Sequence, residues 1–87
     1  MESKIIKVND EINLHLGSFI KELRESRGIS QFYLGIALGF SEETAQQQIY
    51  KYEKGLIRIP IDVAVSIAKI LNVDIIFNGD NIIFMPR

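Results

Sequence analysis

Apolar residues recur along this chain at two periods, and the change of period divides it. Ile12, Leu16, Phe19, Ile20 and Leu23 are spaced as one face of a helix. Asn9 or Asp10 offers a cap, Glu22, Arg24, Glu25 and Arg27 supply charge, and Gly28 is a stop. A first helix is therefore predicted over about Glu11–Arg27. Ile29 follows as a core plug. Leu34 and Leu38 mark a short second helix that Ser30 caps and Gly39 ends, since glycine takes the left-handed conformation without steric cost. Ile49 and Tyr52 mark a third. Ser41 is its expected cap, Glu42 and Glu43 suit the positive end of its dipole, and Gly55 closes it. After the connector Leu56–Pro60, a fourth helix is predicted over about Pro60–Leu71. Its stripe is Val63, Ala64, Ile67, Ala68 and Leu71, with proline in the first turn.

Outside these helices the pattern favours strands. Lys4-Ile5-Ile6-Lys7-Val8 is a short β-favouring run, readable as an edge strand or as an arm. In the tail, Asn78-Gly79 lies between two β-branched and aromatic runs. That dipeptide suits the centre of a type I′ turn, so strands are expected at about Asp74–Phe77 and Asn81–Met85. A short fifth helix over Asp74–Asn78, ended by Gly79, is the competing reading; the hairpin is preferred. Both faces of such a hairpin would be apolar. One can cover the helices, the other wants a partner, and a two-fold dimer is the simplest supplier. Lys4–Val8 could add a third strand. The expected fold is mainly α: a bundle of four to five helices with a C-terminal β-hairpin. Residues 1–9 form an arm or edge strand, 10–73 the helical domain, and 74–87 a candidate dimerisation element.

Composition narrows the function classes. The 87 residues suffice for one core, and a hydrophobic content of 47% argues against disorder. The absence of cysteine removes disulfides and thiolate metal sites and fits a reducing compartment. No apolar run approaches a membrane span, and the first residues do not read as a signal peptide. A cytoplasmic location is expected, with no membrane association, cofactor or metal. Catalysis has little support: there is no glycine-rich phosphate loop and one histidine, His15, at the margin of an apolar face. Glu42 and Glu43 are adjacent, so on a helix they diverge by about 100°. The chain is not expected to be an enzyme.

The second and third helices, joined at a glycine turn and followed by a polar, amide-rich outer face, form the helix-turn-helix pattern of DNA readers. Gln46, Gln47 and Gln48 stand in a row on the third helix. A glutamine amide donates and accepts together and so matches the N6 and N7 edge of adenine. The bland reading is a solvated helix face, because glutamine is also a good helix former. Net charge is −1, whereas phosphate contacts call for excess base. A positive face would have to come from Lys51, Lys54 and Arg58.

From Leu16 to Val73 the chain resembles the Cro/phage-repressor (XRE-type) helix-turn-helix family. The resemblance rests on residues 19–31 (FIKELRESRGISQ), on Leu34-Gly35 and Gly39, on residues 49–55 (IYKYEKG), and on Pro60 with the helix after it. It implies a lambda-repressor-like bundle and a sequence-specific transcriptional regulator, a repressor, reading the major groove with the helix around residues 42–54. It places base contacts at Thr44, Gln46, Gln47, Tyr50 and Lys51, and phosphate contacts at Gln31, Lys54 and Arg58. It puts Gln48 nearer the inner side, a small residue (here Gly35) where the second helix crosses the third, and an ion pair between Arg24 and Glu53. Its partners would be double-stranded DNA, as an inverted repeat, and a second copy of the chain. Gln46 stands about four residues farther from the turn glycine than the family pattern has it, close to one helical turn. The insertion is either an added turn on the third helix or a longer loop before it, and it moves Glu42 and Glu43 toward the DNA. Two alternatives follow: an antitoxin gripping a toxin, or a protein-interaction module, with a toxin or antirepressor as partner, on a core that no longer binds DNA.

Overall fold

In chain order the elements are β1 (Lys4–Lys7), α1 (Ile12–Ser26), α2 (Gln31–Ala37), α3 (Ala45–Glu53), α4 (Ile61–Ile70), β2 (Val73–Asn78) and β3 (Asn81–Pro86). This computed structural model describes residues 4–7, 12–78 and 81–86, with side chains from Leu16 to Ile76 and at Met85. The cap expected at Asn9 or Asp10, the His15 side chain and Gly79 lie outside the described residues.

The helices form where the apolar spacing calls for them. Leu16, Phe19, Ile20 and Leu23 of α1 are buried, and in one core they meet Leu34, Ile49, Tyr52 and Ile67 from the other three helices and Leu71 just after α4. Val63 of the α4 stripe is half-buried at the margin, with Ile29 and Leu38. Ser30 caps α2: its backbone is extended and its Oγ accepts from the Tyr33 N–H at 3.0 Å. Losing that bond leaves a helix-end donor unsatisfied, so Ser30→Ala is expected to cost about 1 kcal/mol, read as a fall in thermal midpoint. Gly39, at φ 95°, ends the same helix in the region glycine favours.

Two boundaries differ from expectation. The regular part of α3 begins at Ala45, and its N-cap is Thr44, without a side-chain cap bond. Ser41 is not that cap. Its Oγ lies 2.9 Å from Thr44 Oγ1, and its carbonyl accepts from the Thr44 and Ala45 N–H groups at 3.1 and 2.8 Å. The inserted residues thus make one separate turn leading into α3. At the other end of the chain, Asn78 is not a central turn residue; it pairs with Asn81 as the last rung of β2. Among the described residues there are four helices, and the tail is a hairpin rather than a fifth helix.

The sheet order is β1-β3-β2, antiparallel throughout. Asn72, at φ 59°, turns the chain from α4 into β2, a conformation asparagine tolerates better than most residues. Along β2 the burial alternates as a half-covered strand requires. Val73 is buried and Ile75 packs on the core, whereas Asp74 and Ile76 are exposed.

Candidate nucleic-acid interface

Two elements, α1 and α2, seat α3. Its inward residues Ala45, Ile49, Tyr52 and Glu53 are all buried. At its start, α2 crosses so closely that a Cβ on Gly35 would stand 2.5 Å from the Ala45 carbonyl oxygen and 2.7 Å from the Ala45 Cβ. At its end, a Cβ on Gly17 of α1 would stand 2.3 Å from the Tyr52 carbonyl oxygen and 2.8 Å from that of Glu53. Glycine at both places lets backbone lie against backbone. The family resemblance marked Gly35 but not Gly17. The available signal was a glycine inside a helix on its apolar side, next to Leu16.

A charged network ties the same helix end to the other two. Arg24 Nε donates to Glu53 Oε2 at 2.7 Å and Arg24 Nη2 to Glu53 Oε1 at 3.2 Å, with side chains 9% and 1% exposed. Arg24 Nη1 donates to the Ile29 carbonyl at 2.7 Å. Gln31 Nε2 donates to Glu53 Oε1 at 3.0 Å. The guanidinium is thus held in the two-pronged geometry that suits a carboxylate. The Gln31 amide, expected at the phosphate backbone, is turned in part toward this network, and its residue is half-buried.

The opposite side of α3 is open. Gln46, Gln47, Tyr50, Lys51 and Lys54 are all exposed, and at 3.6 residues per turn they span about 140° of the helix surface. Lys54 Nζ lies 5.9 Å from the Tyr50 ring centroid, within reach of cation–π attraction. Thr44 is exposed at the helix entry, and Arg58 is exposed in the connector after it. Gln48 stands apart. It is half-buried and its Nε2 lies 3.4 Å from the Tyr52 hydroxyl, while the Tyr52 ring meets Phe40 at 6.4 Å. Glu42 and Glu43 are exposed on the inserted turn. No described helix is long and apolar enough to cross a membrane.

A model of the helix-turn-helix family matches residues 20–78 of the chain. Two proteins described as uncharacterized HTH-type transcriptional regulators, from Sinorhizobium medicae and Rhizobium meliloti, are each 41% identical to it over 71 residues. The matched stretch is 82% of this chain and 48% of each relative, so the chain spans about half the length of the curated relatives it matches.

Proposed function

The chain belongs to the helix-turn-helix family, and from that premise we propose that it is a DNA-binding transcriptional regulator, a repressor, that reads the major groove with α3. The observation that carries this reading is the two-sidedness of α3. One side is fixed by close backbone contacts and a buried charge network, and the other presents five polar side chains on a rigid helix. Gln46, Gln47, Tyr50 and Lys51 are the base-contacting candidates, with Thr44 at the helix entry. Lys54 and Arg58 take phosphates. Gln31 keeps a second amide hydrogen for a phosphate while the first holds Glu53. One module reads only a few base pairs, so the target is an inverted repeat bound by a homodimer, with the C-terminal hairpin as the joining element. Such a regulator works in the cytoplasm.

Selection from random duplex DNA tests the proposal. The parent chain is expected to enrich a two-fold symmetric motif. Gln46→Ala/Gln47→Ala is expected to lose it, because each bidentate base contact is worth about 1–3 kcal/mol of discrimination. Lys54→Ala, by contrast, weakens binding to all sequences and lowers the salt slope by about 1. A parent that enriches nothing at low salt would sink the groove-reading proposal.

One observation favours a second reading, in which the partner is a protein such as a toxin or antirepressor. Phe32, Tyr33 and Ile36 are exposed together on α2, and grouped apolar side chains mark interaction surfaces. That reading gains if the selection fails while a neighbouring-gene product co-purifies with the chain.

A further inference from the structure

Among the described residues β1 and β2 are the two edges of the sheet, each paired with β3 on one side. They differ in how they would receive another strand. β1 carries lysine at Lys4 and Lys7. Lysine is one of the devices by which natural edges are kept from pairing. β2 has six residues and a single charge, Asp74.

The β2 sequence is also compatible with itself. Antiparallel pairing about a two-fold axis perpendicular to the sheet keeps each face continuous, so a residue can pair only with one of the same face. Centred on Ile76, this sets Ile76 opposite Ile76 of the second copy, Ile75 opposite Phe77, and Asp74 opposite Asn78. Apolar positions meet apolar ones, and the two carboxylates stay apart, each across from an amide. Shifted to centre on Ile75, the same edge would set Asp74 opposite Ile76. Ile76 is 44% exposed in the single chain, so the Ile76-centred register covers apolar surface that the monomer leaves open.

We infer that β2 is the dimerisation edge: a second copy of this chain adds its own β2 antiparallel to it, centred on Ile76, and joins two three-stranded sheets into one of six strands. The inference rests on the proposed dimeric reading for the identity of the occupant. It adds the edge, the register and the reason that β1 is not used.

The test is sedimentation equilibrium of the full chain without DNA, beside Ile76→Lys and Met85→Lys. Ile76→Lys places two ammonium groups directly opposite each other at the symmetry centre, yet the position is exposed in the monomer. About tenfold weaker or greater loss of association is expected, with unchanged circular dichroism. Met85 is 39% exposed and lies on the interior strand β3 across from Asp74, so Met85→Lys is expected to associate like the parent. The chain has no cysteine. A single Ile76→Cys is therefore expected to give a disulfide-linked dimer on mild oxidation, and Met85→Cys is not. A monomeric parent, equal weakening by Met85→Lys as face-to-face stacking would give, or no cross-link at position 76 each overturns the inference. The cross-link decides if Ile76→Lys fails to fold. Because none of these measurements involves DNA, failure of edge pairing and failure of DNA reading are told apart by running the duplex selection on the same preparations.

Discussion

Gly17→Ala is expected to lower the thermal midpoint by about 10–20 °C, a loss of ~2–3 kcal/mol in a domain of this size. The expectation runs against helix propensity, which by itself makes alanine better than glycine by about 1 kcal/mol inside α1. What decides the sign is the neighbour. The added Cβ would lie 2.3 Å from the Tyr52 carbonyl oxygen and 2.8 Å from that of Glu53. Those are backbone atoms of α3, which cannot swing aside as the tip of a side chain can, so α1 and the end of α3 must separate. The function should follow the geometry. Separating the two helices tilts the face that carries Gln46, Gln47, Tyr50 and Lys51, so affinity for a selected DNA motif falls more than affinity for unrelated duplex. Gly28→Ala is the control. Gly28 has φ 67° with nothing near its missing Cβ, so alanine there costs about 1–2 kcal/mol of backbone strain without moving α3. Thermal melts and paired titrations with specific and unrelated duplex read both effects. A Gly17→Ala chain more stable than the parent would mean that the close approach is wrong.

Glu53→Ala is expected to destabilise the chain by about 3–5 kcal/mol, because it leaves the Arg24 guanidinium buried without its carboxylate. That is a large share of the roughly 5–15 kcal/mol that holds a natural domain folded. Replacing both partners by apolar groups of similar size, as in Arg24→Met/Glu53→Met, is expected to restore most of the loss, since a buried pair gains little net of its desolvation. The contrast between single and double variants matters more than either value. If the pair acts mainly to fix α3 against α1 and α2, the double variant is stable but binds its DNA motif less selectively. Equal melting of parent and Glu53→Ala would show that the network contributes nothing. Chemical denaturation supplies the free energies, and the duplex selection supplies the selectivity.

Much of this architecture was legible because it is written in local spacing. The faces of α1 and α4, the glycine stops and the Ser30 cap each depend on residues within one or two turns of one another. The hairpin could be read for the same reason, since two β-favouring runs flank a short turn. The start of α3 could not. Ser41 has the better capping chemistry, but the regular helix is held from Ala45 onward by the crossing with Gly35, and the residues between make their own turn. Asn78 reads in sequence as a turn residue, but the pairing of the two strands carries it into the ladder.

The candidate interface divides in the same way. The sequence alone puts Gln46, Gln47, Tyr50 and Lys51 opposite Ile49 and Tyr52, because the third helix turns once every 3.6 residues. It also held the family pattern that pointed to Arg24 and Glu53. How that face is held follows from packing between segments. Gly17 reads in sequence as a cost to a helix and becomes a seat once the Tyr52 and Glu53 carbonyls arrive against it. Gln31 reads as a phosphate ligand and is found donating to a carboxylate 22 residues away. Periodicity is a property of one segment and its own backbone geometry. Close approach and the sharing of a buried charge are properties of pairs of segments, set by how the whole core packs.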